Sequence, residues 1–384
     1  MHIVHVLTRL DNGGAEENTI TTAQQQAAAG HSVTVIHGGI AKPRWRDAWP
    51  KGVERVSLPT LVAPISPRLD WVAQRQLVEM FHALAPDVVH THQSKAGILG
   101  RRAAGRTRVP TVVHGIHIVN FDNVPFAKRA IYLAAERQVA QVTDAFIGVS
   151  EAVCQAYVTN GIARERDVAC VRSGFDLNAF QTARLPADAV DLLKPMPRSG
   201  RPLCVAMLAA LEPRKGHLTF LEAFARWFGQ FSSIRLLLCG EGPLQPQIRR
   251  AIQDLGLSKS VRLCGFRPDA AEILTLADVT ILNSAREGLP RAALQSLAAG
   301  TPVILPDYPG VREVVQDRQN GRIVARRRAD DICAALTHLL NAPNELARLR
   351  RGAQATDLSA WDHRHMGADT TAIYLRAKRM EAAA

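Results

Sequence analysis

The chain is poor in aromatic residues, holds no paired-cysteine motif and has no long apolar run. Aromatics make up 5% of its 384 residues. They do not interleave with the basic clusters, which argues against a stacking platform for nucleic acid. Its six cysteines, Cys154, Cys170, Cys204, Cys239, Cys264 and Cys333, form no Cys-x-x-Cys pair, and most fall in apolar, strand-like runs. That placement reads as buried thiols in a reducing compartment, not as a disulfide framework. The first apolar run, Ile3 to Leu7, is too short for a signal peptide, and no stretch reaches transmembrane length. A cytoplasmic location is therefore expected. Neither Asp-x-Asp nor Gly-x-Ser-x-Gly occurs, so the usual carboxylate pair for a divalent metal and the serine-nucleophile elbow are both missing. Acidic residues are the minority, 35 against 47 Lys plus Arg, for a net charge of +12.

With 47% apolar residues, the chain is globular and long enough for two cores. Strand-like and helix-like segments alternate throughout, the pattern of parallel α/β sheets. Strands are predicted at His2–Leu7, Ser32–His37, Asp87–His92, Thr111–Ile116 and Ala145–Ser150. In the second half they are predicted at Leu203–Leu208, Ile234–Cys239, Val261–Cys264, Val279–Leu282, Pro302–Pro306 and Gly321–Ala325. Residues 184–202 hold four prolines and no apolar period, and read as a linker. The expected domains are 1–183 and 203–361, both Rossmann-like, and a helix is expected from Trp361 onward. Basic clusters stand at Arg101-Arg102-Arg106-Arg108, Arg326-Arg327-Arg328 and Arg348-Arg350-Arg351. The plain reading is solvated helix faces; the functional one is contact with an anionic membrane surface.

Several segments carry chemistry. Asn12-Gly13-Gly14-Ala15-Glu16 follows the first strand and opens a helix, where backbone N–H groups can meet an anion. His90 and His92 share one face of a strand. No carboxylate pair or thiolate stands at ligand spacing beside them, so no metal is expected. His114 lies toward the C-terminal end of a strand, where open α/β sheets place ligands, and is preferred to His90, His92 and His117 as a site residue. In the second half, Ala209-Ala210-Leu211-Glu212-Pro213-Arg214-Lys215-Gly216 sets two cations just before a helix, placed to neutralise a departing diphosphate. The most informative stretch is Ser284-Ala285-Arg286-Glu287-Gly288-Leu289-Pro290-Arg291, running on through Gln295 to Gly300-Thr301-Pro302. It reads as strand, polar loop and helix N-terminus, a ready anion site with an acidic side chain beside it.

Taken together, these motifs resemble the family 4, retaining, GT-B-fold glycosyltransferases over almost the whole chain. The resemblance implies an α/β fold of two Rossmann-like domains facing a central cleft, with the last helix, about 362–384, packing back on the first domain. It implies a nucleotide diphosphate sugar as donor substrate with no cofactor and no metal. The acceptor would be a glycan or lipid-linked hydroxyl, reached from the cytoplasm with possible peripheral contact to an anionic membrane, in lipopolysaccharide or exopolysaccharide synthesis. By the same resemblance His114 and Glu287 are the catalytic residues. Gly13, Gly14, Arg214, Lys215, Gly288, Leu289 and Gln295 bind the donor. Two positions depart from the family pattern: Ala210 stands where an arginine of the diphosphate clamp is expected, and Gln295 stands where a glutamate holds the ribose. A glutamine still hydrogen-bonds a ribose hydroxyl. Rival readings are a nucleotide-sugar 2-epimerase of the same fold, a degraded nucleotide-sugar-binding subunit, and, from charge alone, a nucleic-acid-binding protein.

Overall fold

The computed structural model describes the chain apart from residues 196–199, 230–232, 326–327 and 383–384 and the side chains of 46 and 379–382. Part of the 184–202 segment, and Arg326 and Arg327 of the second basic cluster, lie outside the described residues. The chain divides into two compact units, Met1–Phe175 with Trp361–Ala384, and Asp176–Ala360.

The first unit is a seven-stranded, all-parallel sheet. Its strands are β1 (His2–Leu7), β2 (Ser32–Gly38), β3 (Val53–Leu58), β4 (Val88–His92), β5 (Thr111–Ile116), β6 (Ala145–Gly148) and β7 (Val168–Cys170), in the order β3-β2-β1-β4-β5-β6-β7. Central strands such as β1, β4 and β5 are buried almost end to end, as Val/Ile-rich strands covered on both faces must be. Alternate residues feed separate cores. Val4, Val6, Val89 and Val112 pack with Leu77 and Phe81 of the helix Pro67–Leu84. Ile3, Val88 and Val113 pack with Ile373 and Tyr374 of the helix Met366–Ala382. That last helix also meets the helix Gly14–Ala28, with the Gly367 N–H donating to Gln25 Oε1 at 2.7 Å. Two strands went unpredicted, β3 and β7, and both are sheet edges. β3 mixes charged and half-exposed residues and β7 has three residues, none fully buried, so neither presents the continuous apolar run of a central strand.

The second unit repeats the plan with six parallel strands. They are β8 (Leu203–Leu208), β9 (Ile234–Cys239), β10 (Val261–Gly265), β11 (Val279–Ile281), β12 (Val303–Pro306) and β13 (Gly321–Val324), in the order β10-β9-β8-β11-β12-β13. Its larger core joins Val205, Met207, Leu236 and Leu238 to Phe220, Phe224 and Phe228, which recur every four residues along the helix His217–Phe228. Within 184–202, residues Ala189–Leu193 form a short helix, and Leu192 and Leu193 are buried against Cys204 and Leu237. Fully buried Arg235 donates to the carbonyls of Leu193 and Pro195, holding that segment on the sheet.

In both sheets the strand order reverses once, between β1 and β4 in one unit and between β8 and β11 in the other. Neighbouring crossovers depart to opposite sides at such a switch point, leaving a crevice beyond the strand C-termini where α/β proteins take their ligands.

Candidate functional site

In the second unit, the loop after β8 and the loop after β11 meet at the switch point. Gly216 makes the junction possible. It holds φ +70°, and a Cβ there would lie 2.4 Å from the Asn283 carbonyl oxygen. Asn283 Nδ2 donates to Gly216 O at 2.8 Å, and the Ala285 N–H donates to Arg214 O at 2.7 Å. So stitched, the loops bring together residues seventy positions apart in sequence. Lys215 Nζ donates to Glu287 Oε1 in a close ion pair, and Arg214 Nη1 stands 3.4 Å from Glu287 Oε2. Arg214 Nε also meets Glu212 Oε2 at 3.2 Å.

The Glu287 and Lys215 side chains are only 9% and 14% exposed. Burial works to raise the Glu287 pKa, yet the charges of Lys215 and Arg214 outweigh it and hold the carboxyl below its usual range. Burial lowers the Lys215 pKa, partly offset by Glu287. Two cations thus share one carboxylate at the mouth of the helix Arg291–Ala298, whose N-terminus carries no side-chain cap. Gly288, Leu289 and Pro290 form its buried approach, and Gln295 is half-buried one turn in. Ser296 anchors the helix: its hydroxyl donates to Thr301 O at 2.8 Å and accepts from Thr280 Oγ1 at 2.7 Å. Tyr308 OH donates to Ser284 O at 2.8 Å and braces the loop from the other side. An incoming diphosphate would meet two basic groups and a helix N-terminus. Ala210 adds no charge, so the cations of this cradle are Arg214 and Lys215. Farther along, Arg267 is engaged by Asp188 at 2.7 and 2.8 Å and by Asp269, while Phe266 is exposed.

In the first unit the switch point holds Gly13 and Gly14. Gly13 is the extended N-cap of the helix Gly14–Ala28, again without a side-chain cap. A residue that sequence reasoning missed organises this loop. Gln93, at φ +61° and ψ 169°, is in a backbone region nearly reserved for glycine. Its side chain accepts from the Thr8 N–H at 2.9 Å and donates to buried Glu16 Oε1 at 2.7 Å. The Ala96 N–H donates to Thr8 Oγ1 at 3.0 Å. Gln93 therefore ties the exit of β1 to the start of the helix Ser94–Thr107. The signal available was a polar residue straight after a predicted strand, too common to single out.

His114 lies two residues before the end of β5, whose bounds are those expected, and its ring is buried. The ring fits beneath Gly97, where a Cβ would come within 2.6 Å of His114 Cε1. Nδ1 meets Thr91 Oγ1 at 3.0 Å, and burial first, then the nearby Arg101 charge, push its pKa well down. His114 faces the helix Ser94–Thr107, whereas His90 and His92 face the other side of the sheet. Arg101 corrects the expectation of a surface basic cluster. It is fully buried, donates to Glu136 Oε2 at 2.7 Å and to Gly97 O at 2.8 Å, and so belongs to the packing around His114. Arg102, Arg106 and Arg108 of that cluster are at least partly exposed.

Comparison with known proteins bears on the family and the fold. Residues 12–179 match the model of "Glycosyltransferase Family 4", and residues 194–356 match that of "Glycosyl transferases group 1". EpsD of Bacillus subtilis is 27% identical over 314 residues, covering 79% of this chain and 80% of that protein. The UDP-Gal:alpha-D-GlcNAc-diphosphoundecaprenol alpha-1,3-galactosyltransferase of Escherichia coli is 28% identical over 287 residues, 73% of each chain. The crystal structure of Anabaena HepE in complex with UDP and glucose superposes with a TM-score of 0.78 at 20% identity, covering 97% of this chain and 98% of that one. Two Rossmann-like units with such neighbours define the GT-B fold. The chain is a glycosyltransferase with a family 4-like first domain and a group 1 second domain, and it has relatives in polysaccharide biosynthesis. No described helix is long and apolar enough to cross a membrane.

Proposed function

We propose that this glycosyltransferase is a retaining, metal-independent hexosyltransferase. It moves a sugar from a nucleoside diphosphate sugar to a hydroxyl of a glycan or lipid-linked acceptor in lipopolysaccharide or exopolysaccharide synthesis, at the cytoplasmic side of the membrane. The observation that carries the reading is the Lys215–Glu287–Arg214 cluster at a switch point, its Lys215–Glu287 pair largely buried, set at a helix N-terminus without a side-chain cap. The name of the Escherichia coli relative supports it with a UDP-sugar donor and a diphosphoundecaprenol-linked acceptor, and HepE with UDP and glucose.

In this reading Lys215 and Arg214 turn from Glu287 toward the donor diphosphate, and Glu287 accepts a hydrogen bond from a sugar hydroxyl. The N–H groups around Gly288 and Leu289 receive phosphate oxygens, while Gln295 bonds a ribose hydroxyl. The bond between the anomeric carbon and the phosphate oxygen breaks. On the same face the acceptor oxygen bonds that carbon, and its proton passes to the departing diphosphate. No side chain becomes a sugar adduct, in keeping with the missing nucleophile signatures. Gly13, Gly14 and His114 are the first unit's share of the machinery. Two cations and helix dipoles would do the electrostatic work that an Asp-x-Asp-bound metal does elsewhere.

The test is ligand-observed NMR with UDP-, GDP- and ADP-sugars in the absence of added metal, followed by transfer to a diphospholipid-linked acceptor. Saturation transfer from one donor, lost in Lys215→Ala, is expected. Silence from all three in folded protein would refute the reading and favour a degraded site marked by Ala210 and Gln295. Release of free nucleotide without an acceptor product would favour the epimerase instead.

A further inference from the structure

The first sheet buries a set of histidines on the face opposite His114. His5 on β1 and His90 on β4 are direct partners across the two central strands, and His92 follows two residues on, on the same face. Ring centroids lie 4.1 Å apart for His90 and His92 and 5.3 Å apart for His5 with either. All three residues are at most 3% exposed. One nitrogen from each ring lies within 4.8 Å of the other two. Sequence alone shows only His90 and His92; the third ligand comes from a strand 85 residues away and becomes visible when β1 pairs with β4.

We propose that His5, His90 and His92 form a three-histidine zinc site, with a water molecule as the fourth ligand, that pins β1 to β4. Each ring has an outer nitrogen already in the hands of a second-layer partner. His5 Nε2 donates to Gln26 Oε1 at 2.8 Å, His90 Nδ1 meets Tyr374 OH at 2.6 Å, and His92 Nδ1 meets His117 Nε2 at 3.0 Å. Outer partners of this kind orient metal-bound imidazoles and fix their tautomers. Of the six nitrogens in the trio, His90 Nε2 alone is buried without a partner. The remaining two, His5 Nδ1 and His92 Nε2, face each other at 3.0 Å. Bonds of about 2.0–2.1 Å to a tetrahedral zinc set ligand nitrogens about 3.3–3.4 Å apart, so this pair needs to open by only a few tenths of an ångström.

Space beside the ligand atoms is kept by Gly115, the strand partner of His92. A Cβ there would lie 3.0 Å from His90 Nε2 and 2.7 Å from His92 Nδ1. Metal binding requires no net loss of protons when the His92 and His117 protons both move from Nε2 to Nδ1, so that His92 Nδ1 donates to His117 Nε2. Tyr374 and Gln26 come from the helices Met366–Ala382 and Gly14–Ala28, so the site would also fix the C-terminal helix to the first unit. It lies on the opposite face of the sheet from His114 and is proposed apart from the transfer reaction.

The experiment titrates the chelator-treated full chain with Co²⁺ and then displaces it with Zn²⁺. One Co²⁺ per chain is expected, with the ligand-field absorption of a nitrogen-bound, low-coordinate ion and no thiolate charge-transfer band. Binding should vanish in His90→Gln and weaken about tenfold in Tyr374→Phe, the scale of a lost outer-layer partner. The phenylalanine variant keeps the test decisive if His90→Gln fails to fold. Donor binding by NMR should be unchanged in both variants, which separates this site from the proposed function. No cobalt spectrum at millimolar Co²⁺ would overturn the proposal. So would a thiolate band, which would place the ion at Glu151, Cys154 and Cys170, or binding unaffected by either substitution.

Discussion

Replacing Glu287 with glutamine removes the counter-charge of a buried lysine while keeping the shape of the side chain. Lys215 is 14% exposed and Glu287 9%, so little solvent screens the charge left behind. Breaking one side of a buried pair costs about 3–5 kcal/mol, whereas replacing both partners by apolar groups of similar volume is close to neutral. The second unit spans Asp176–Ala360, a size at which 1 kcal/mol moves the melting temperature by about 2–4 °C. Glu287→Gln and Lys215→Met should each lower the melting of this unit by roughly 10 °C in scanning calorimetry. The double variant Lys215→Met/Glu287→Leu should recover most of that loss. Arg214, 3.4 Å from the carboxylate, keeps the recovery incomplete because it too loses a partner. A nucleoside diphosphate carries the missing negative charge. UDP should therefore raise the melting temperature of Glu287→Gln by more than it raises that of the wild type, although Glu287→Gln transfers no sugar. Single losses under about 1 kcal/mol, or a double variant that simply sums them, would mean that the pair is solvated and the reasoning wrong.

Three further outcomes follow from the first unit. The pKa values of His5, His90, His92 and His114 are all lowered by burial, so the unfolded chain binds protons that the folded one refuses. Stability should be full above about pH 6.5 and fall as pH drops toward 4, by about 1.4 kcal/mol per pH unit for each ring still neutral; urea titrations with equal midpoints at pH 7.5 and 5.0 would contradict this. Gly97→Ala, a change that favours an isolated helix by about 0.5–1 kcal/mol, should instead destabilise by about 1–3 kcal/mol, because the new methyl group meets His114. Transfer activity in that variant should fall more than stability does, and wild-type turnover would argue against His114 as a site residue. Arg101→Met should cost about 3–5 kcal/mol by stranding Glu136 and leave binding to anionic vesicles unchanged in protein that stays folded, since the guanidinium never reaches the surface.

Much of this protein is set by local pattern. Apolar runs such as Leu203–Leu208 and Thr111–Ile116 are strands because only a sheet covered on both faces buries them fully, and their alternation with helices leaves parallel crossovers as the natural topology. The loops at Gly13-Gly14 and Glu287-Gly288-Leu289-Pro290 were legible as breaks between a strand and a helix, because glycine and a proline at the helix start mark such breaks. Edge strands escaped because half-exposed segments such as Val53–Leu58 lack that continuous pattern.

What the tertiary structure decided is everything that depends on proximity without adjacency. Sequence showed that Arg214 and Glu287 existed, but only the meeting of two loops at Gly216 and Asn283 aims both Arg214 and Lys215 at one carboxylate. Arg101 reads as one of four surface cations until packing sets it beside Glu136 under His114. His5 has no meaning as a ligand until β1 pairs with β4 in register with His90. Hydrophobic periodicity is a property of neighbours along the chain, and folding needs it everywhere. Charge pairing, tautomer choice and the space beneath a glycine are properties of neighbours across it, created only when the sheet closes and water is expelled.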